Sequence, residues 1–204
     1  MSAQGKKVLA SWGIVALMTV MCGTYVFWTV SGVVTPTLLT WVMLSVALGL
    51  SLWTYWSHGK HSRLGNIGNI VDFVAVVLIA LTIWLMRSDV EIVFDAFNAS
   101  CLTVACSIFV SWRLTNQHAI ANGLLQLLVT VSILPTVNTI WTTGRNTEAF
   151  LPWTCVWLAS LLMFVPARID KDKLATLYAF RSLVTASLVL GSMIWLELFP
   201  RLPH

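Results

Sequence analysis

The chain has 204 residues, of which 58% are apolar and 10% charged, and its mean hydropathy is +0.84. Soluble domains contain about 45–50% apolar and about 25% charged residues. The composition therefore excludes a cytosolic enzyme, a secreted domain and a nucleic-acid-binding protein, and the basic residues behind the formal charge of +4 report membrane orientation instead.

Long apolar runs predict an all-α polytopic membrane protein. Each run has roughly the 20 residues that cross a bilayer as a helix, and none shows the alternation of a barrel strand. Seven spans are predicted, at 8–30, 35–57, 67–87, 91–113, 118–143, 148–168 and 173–199. The first span is longer than the apolar core of a signal peptide, so we expect it to remain uncleaved. Because the loops are short, residues 1–204 are predicted to form a single transmembrane domain.

The basic residues are distributed unequally between the two sides of this domain. The predicted N-terminal side carries eight, which are Lys6, Lys7, Lys60, Arg63, Arg113, Arg168, Lys171 and Lys173. The opposite side carries three, which are Arg87, Arg145 and Arg201. Cytoplasmic loops are enriched in Lys and Arg, so the bias predicts a cytoplasmic N-terminus and an external C-terminus. The expected location is the inner membrane of a bacterium.

Tryptophan spacing indicates an internal repeat. Trp28 and Trp141 are 113 positions apart, and Trp41 and Trp153 are 112 apart. The third and seventh spans end in the same tripeptide, Ile-Trp-Leu, at an offset of 111. Many small transporters are built from such repeats. We therefore predict a first triple-helix repeat at 8–87, a linker helix at 91–113 and a second repeat at 118–199.

Two stretches of the sequence resemble known transporters. The proline in residues 134–138 (LPTVN), the short basic loop with Thr-Glu at 147–148 and the aromatic Trp153 are similar to the PQ-loop pattern. Residues 52–55 (LWTY) are similar to the LWxxY motif that ends the second helix of SWEET sugar transporters. Together with the 3+1+3 architecture, they resemble the SWEET and PQ-loop families and the related bacterial vitamin-precursor transporters. The resemblance implies transport by two rocking helix bundles, but Thr136 replaces the Gln of the PQ motif and no substrate class carries over.

Two charged residues lie deep within predicted spans. Asp72 is about five residues into the third span and Arg181 about eight residues into the seventh, roughly 8 and 12 Å from the membrane surface. Asn69 shares a helix face with Asp72, and it corresponds to Arg181 in the repeat at an offset of 112, whereas an offset of 111 pairs Arg181 with Ile70. Buried charges usually have a partner or a task, so these three residues are expected to bind substrate, and Asp72 could carry protons. Alternatively, Arg181 extends to the lipid headgroups and Asp72 caps or pairs locally.

The fifth span carries further polar residues and a proline. Asn122, Gln126 and Thr130 recur every four residues and therefore form one stripe. Such a stripe either joins helices or lines a cavity, so Asn122 and Gln126, together with Asn138, are candidate substrate ligands. Pro135 is expected to kink the helix and to act as a hinge.

The tryptophans fall into two groups according to their position in the predicted spans. Those near span ends are typical of the interfacial aromatic belt. Trp53 lies near the inner end of the second span and Trp157 midway through the sixth. These two are candidates for stacking on a flat or sugar-like substrate.

These features predict a membrane transporter or facilitator of a small polar solute that works by alternating access, either facilitative or coupled to protons through Asp72. The alternative is a receptor or assembly scaffold on the same fold. No catalytic or metal-binding constellation occurs in the sequence, and the four cysteines form no CxxC motif, so we expect neither an enzyme nor a metal or other cofactor. The expected partners are the lipid bilayer and the solute, with a homo-oligomer left open.

Overall fold

The computed structural model of the chain describes residues 2–34, 36, 38–57, 64–86, 96–144, 146 and 148–199. Within these residues all regular secondary structure is helical, which confirms the all-α part of the predicted class. The helices are α1 (Ala3–Val30), α2 (Leu38–Ser57), α3 (Ile67–Met86), α4 (Ala96–Thr115), α5 (His118–Ser132), α6 (Leu134–Thr143), α7 (Phe150–Ile169) and α8 (Lys173–Leu198). Each predicted span contains a helix, and the fifth is divided into α5 and α6.

Among the described residues, five helices are long and apolar enough to cross a membrane. They are Ala3–Val30, Ile67–Met86, His118–Thr142, Phe150–Ile169 and Lys173–Leu198, with α5 and α6 counted as one helix. This is compatible with an integral membrane protein. Five of the basic residues used to predict the orientation lie outside the described residues, namely Lys60, Arg63, Arg87, Arg145 and Arg201.

The distribution of side chains is compatible with a protein in lipid. Large apolar side chains cover the outside, as with Trp12 (68% exposed), Leu85 (72%) and Leu114 (80%). Several polar residues lie inside, including Asn69, Asn122 and Gln126, which are buried. Soluble monomers rarely expose apolar patches of more than a few hundred Å², so this surface favours a bilayer as the solvent.

The helices form one packed bundle. Helix α3 contacts α1 and α2, and α8 contacts α7 and both parts of the divided helix α5–α6. In addition, α1 packs on α7 and α2 packs on α5. Helix α4 contacts α2 and α5. Chain connectivity places the start of α1 on one side, the N-terminal side, with the ends of α2 and α7.

The helix predicted at 118–143 is divided into two parts near the predicted hinge. Helix α5 ends at Ser132, and α6 begins at Leu134 with Pro135 in its first turn. Proline is compatible with a first turn because its missing N–H has no intrahelical acceptor there. The helix is thus interrupted at Ile133, two residues before Pro135, while the kink and the hinge at Pro135 stay predictions.

Candidate functional site

A cavity lies at the centre of the bundle, and six helices contribute to it. The volume open to the centre of a water molecule is about 60 Å³, enough for a few waters or a small solute. Its lining consists of Met21, Tyr25, Trp41, Leu44, Leu48, Asp72, Val76, Val129, Ile133, Pro152, Trp153, Val156, Arg181, Ser182 and Thr185. Most of these side chains are apolar or aromatic, and the charges come from Asp72 and Arg181.

The structure brings Asp72 of α3 and Arg181 of α8 together. Arg181 Nη2 lies 3.6 Å from Asp72 Oδ2, and Tyr178 donates a hydrogen bond from its hydroxyl to the same oxygen. Arg181 is 8% exposed. Burying an isolated charge is expensive, so the pair and its hydrogen bonds are what make both ions tolerable at this depth. We call Asp72, Arg181 and Tyr178 the floor of the cavity.

Arg181 is held from two further directions. Its Nε donates to Gln126 Oε1 at 3.1 Å, and its guanidinium lies 4.5 Å from the centroid of the Tyr178 ring. Gln126 in turn donates from Nε2 to the Ser51 hydroxyl. At 3.6 Å the contact with Asp72 is too long for a hydrogen bond, and Nη2 has no hydrogen-bond partner among the described residues. Arg181 therefore keeps donor capacity at a buried position that lines the cavity.

The polar stripe of α5 mostly joins helices. Asn122 Nδ2 donates to the Ser51 carbonyl at 2.8 Å and to Thr54 Oγ1 at 3.2 Å, which ties α5 to α2. Gln126 accepts a hydrogen bond from Arg181, and neither Asn122 nor Gln126 belongs to the cavity lining. Asn138 is exposed on α6. Asn69 is buried one turn from Asp72, and its Oδ1 has no hydrogen-bond partner in the described part of the chain.

The two candidate stacking tryptophans lie outside the cavity lining. Trp53 is 50% exposed and packs on Phe109 and Trp112 of α4. Trp157 donates from its indole nitrogen to Ser187 Oγ at 3.1 Å on the exposed side of α7 and α8. The lining indoles are Trp41 and Trp153 instead. The positions of Trp53 and Trp157 along their helices could be predicted from the sequence. The sequence did not indicate which face of each helix is turned inward.

A second carboxyl group, Glu148, lies at the end of the cavity away from the N-terminal side. Its Oε2 accepts hydrogen bonds from Trp153 Nε1 at 3.0 Å and from the Tyr25 hydroxyl at 3.3 Å. The Tyr25 ring in turn packs on Trp41, with the centroids 4.9 Å apart. Burial raises the pKa of Glu148 above the ordinary value of 4.5, although both hydrogen bonds act against that shift.

Sequence reasoning did not assign a role to Glu148 or to the side chains around it. The signals were present: Glu148 lies within the stretch similar to the PQ loop, and Trp41 and Trp153 form one of the repeat pairs. What was missing was the contact with Tyr25, which is 123 positions away in the chain.

The N-terminal side of the bundle is closed below the floor. Lys7 Nζ forms an ion pair with Asp170 at 2.7 Å, and the Tyr55 hydroxyl donates to Asp172. Helices α3 and α7 touch at Gly68, where an added Cβ would lie 2.5 Å from the sulfur of Met163. These contacts join α1 and α2 to the α7–α8 junction and α3 to α7.

Buried polar atoms without hydrogen bonds lie on this closed side. They are Ser11 Oγ, both side-chain heteroatoms of Asn66 and Asn69 Oδ1, as far as the described residues show. Such groups are rare in folded proteins, and each costs about 1–3 kcal/mol when it is left unbonded. The N-terminal half of the bundle is thus closed but polar.

The chain was compared with protein-family models, with curated proteins and with solved structures, and none of them matches it.

Proposed function

We propose that the chain is an integral membrane transporter or facilitator of a small polar solute. In this proposal it works by alternating access between two triple-helix bundles, α1–α3 and α5–α8, with α4 as the linker. The observation that carries the proposal is the central cavity, which has a buried Asp72–Arg181 pair at its floor and a closed N-terminal side below it. A buried ion pair is weak evidence for stability, so its position in a cavity favours a functional role.

Positions that correspond in the repeat support a two-fold relation around the cavity. Three pairs of lining residues are 112 positions apart, which are Met21 and Ile133, Trp41 and Trp153, and Leu44 and Val156. Gly32 and Gly144 share the same offset, and both have positive φ, 73° and 60°, just after the first helix of each bundle. The third helix of each bundle contacts the other two. An inverted or parallel repeat around a central site is typical of secondary transporters.

The closed N-terminal side supports alternating access. Opening that side would hydrate Ser11, Asn66 and Asn69, whose polar atoms are unbonded in the closed state. The free energy gained by hydrating these atoms would offset part of the cost of separating Lys7 from Asp170. In the proposed orientation this side faces the cytoplasm, and the Glu148 end of the cavity faces outward. We also propose that the similarity to SWEET and PQ-loop transporters reflects a shared architecture.

Asp72 is the proposed coupling group, and its substitution tests the function. Purified protein would first be screened by thermal shift against sugars, amino acids, vitamins and small carboxylates, and the solutes that bind would be followed into reconstituted vesicles. We expect Asp72→Asn to abolish uptake or its proton dependence while the protein still inserts. Glu197→Gln, an exposed carboxyl of α8, is the matched control. Uptake by Asp72→Asn at the wild-type rate, with the same response to a pH gradient, would refute the role.

A receptor or scaffold on the same fold is the second candidate. The observation in its favour is the small size of the cavity, about 60 Å³. A receptor would bind a solute in detergent without moving it across a vesicle membrane, and a scaffold would do neither. The thermal-shift screen and the uptake assay together therefore separate the three functions.

A further inference from the structure

We propose that the solute carries one carboxylate, which Arg181 binds, and that it crosses the membrane together with one proton held by Asp72. This inference rests on the proposed transport function and names its substrate class and stoichiometry. The argument comes from the hydrogen bonds, the charges and the apolar walls around the floor of the cavity.

The floor of the cavity lacks a hydrogen-bond acceptor for one donor of Arg181 among the described residues. Gln126 Oε1 already accepts from Arg181 Nε, and Asp72 Oδ2 accepts from Tyr178. Thr185 donates back to the carbonyl of Arg181 at 3.1 Å. Arg181 Nη2 is a buried donor that lacks an acceptor among the described residues. A ligand that completes this site must therefore supply a hydrogen-bond acceptor.

A carboxylate is the acceptor that fits best. The planar guanidinium matches its geometry, and charge-assisted hydrogen bonds are roughly twice as strong as neutral ones. The walls above the floor are apolar, with Leu44, Leu48 and Val76 among them. A sugar would leave several hydroxyl groups unbonded against these walls, at a cost for each. A short monocarboxylate would place its charged end on Arg181 and its remaining atoms along the apolar wall.

Charge balance links this carboxylate to a proton. The floor is neutral when Arg181 is paired with the Asp72 carboxylate, and an entering carboxylate would leave a net charge of −1 in a medium of low dielectric. If Asp72 takes up one proton, the guanidinium shifts its pairing from Asp72 to the solute and the loaded site is neutral again. The proton forms an O–H bond on the Asp72 carboxyl and is released when the solute leaves. No other bond forms or breaks.

Few other titratable groups face Asp72. Tyr178 and Arg181 reach it from α8, and Tyr25 of α1 lines the cavity further from the floor. Glu148 contacts Tyr25 at the far end. Among the described lining residues, those of α2, α5 and α7 carry no titratable side chain. Asp72 is thus the carboxyl in direct contact with the guanidinium that would bind the solute.

Lactate is the test probe, and lactamide is its neutral isostere. Vesicles that contain the protein would be given an inward proton gradient, and lactate uptake and internal pH would be recorded together, with protein-free vesicles as the background. We expect saturable uptake of lactate with one proton per molecule, no effect of an imposed membrane potential, and no uptake of lactamide. Arg181→Lys should raise the half-saturation concentration about tenfold, since it keeps the charge and loses the planar fork. Asp72→Asn should remove the response to the proton gradient.

Control variants and alternative outcomes keep the proposal falsifiable. Arg168→Gln removes an exposed arginine of α7 and should leave uptake unchanged, and thermal unfolding verifies that each variant is folded. Lactate uptake that carries net charge, or that Asp72→Asn leaves coupled to protons, would overturn the proton assignment. Uptake of a sugar or a neutral amide that depends on Arg181, without lactate uptake, would overturn the carboxylate but leave transport standing. If no solute of the panel crosses or binds, both proposals fail.

Discussion

Glu148 shows how the surroundings of one side chain beside the cavity shift its pKa. Its carboxyl group is partly buried between α1 and α7 and accepts hydrogen bonds from an indole and a phenol. The backbone N–H of Glu148 is also bonded, to Asn146 Oδ1 at 3.1 Å, which fixes the residue at the start of α7. Desolvation outweighs these hydrogen bonds, so the pKa is raised. The group therefore favours its protonated form in the folded protein more than in the unfolded chain.

This shift predicts a pH dependence of stability. A raised pKa in the folded state contributes stability that is complete below the ordinary value of 4.5 and is lost as the pH rises through the folded value. Glu148→Gln removes the titration, so we expect its unfolding temperature to fall less than that of the wild type as the pH is raised from about 4 to 8. The measurement is thermal unfolding of both proteins in detergent.

The matched control is Glu197→Gln, which removes an exposed carboxyl near the end of α8. It should keep the pH dependence of the wild type. If Glu148→Gln and the wild type lose stability in parallel over this range, the Glu148 carboxyl is not desolvated in the way that the structure indicates.

The two buried charges could be found from sequence because they are rare. In an apolar helix, a lone Asp or Arg stands out, and its depth follows from the rise per residue. The other side chains that contact Asp72 and Arg181 could not be found in this way. Tyr178 and Gln126 are ordinary residues of their helices, and only the relative rotation of α3, α5 and α8 brings them to Asp72 and Arg181. Such rotations depend on side-chain packing between helices, which a single sequence does not specify.

At the scale of helices, the boundaries were predictable to within a few residues and the packed faces were not. The third span was predicted at 67–87, and α3 is Ile67–Met86. The length of an apolar run and the charges at its ends determine such limits. Helices that are apolar all round give no periodic signal for the inward face, which is why Trp53 and Trp157 were chosen in place of Trp41 and Trp153.

The contact between α3 and α7 leads to a prediction about packing. An alanine at position 68 would place its Cβ 2.5 Å from the Met163 sulfur, so Met163 or the helices must shift. We expect Gly68→Ala to lower the free energy of unfolding by about 1–3 kcal/mol, the usual cost of overpacking. Chemical unfolding in detergent measures this loss. Met163→Ala in the same chain removes the clashing atoms, so the two substitutions together should cost less than the sum of their separate effects.

Gly23→Ala is the control, because an added Cβ there meets nothing within 4 Å. In a helix interior this change should raise stability by roughly 0.5–1 kcal/mol through helix propensity alone. A Gly68→Ala protein that is as stable as Gly23→Ala would mean that α3 and α7 are not in close contact on the N-terminal side.

For the whole molecule, the closing contacts of the N-terminal side come from segments far apart in the chain. Lys7 and Asp170 are separated by 163 positions, and Tyr55 and Asp172 by 117. The two pairs hold α1 and α2 to the junction of α7 and α8. Sequence analysis used Lys7 to predict the orientation of the chain. It predicted the side of the membrane on which Lys7 lies, but it did not identify Asp170 as its partner. Lys7 is only 5% exposed, and its ion pair with Asp170 is 2.7 Å long. We call this ion pair the latch, because it is better suited to holding the N-terminal side closed than to setting orientation.

Breaking this latch should open the N-terminal side to water. In a chain whose native cysteines are replaced, Ser11→Cys places a thiol at a position that is 4% exposed, between the latch and the floor. We expect Lys7→Ala to speed labelling of this thiol by a membrane-impermeant reagent applied from the N-terminal side, because a partner of Asp170 is lost and the polar atoms of Asn66 and Asn69 gain water. Lys6→Ala, next to it in α1 but exposed, should label at the original rate. If both lysine variants label equally slowly, the ion pair does not hold this side closed, and the barrier must lie in the packing of α1 and α3 against α7.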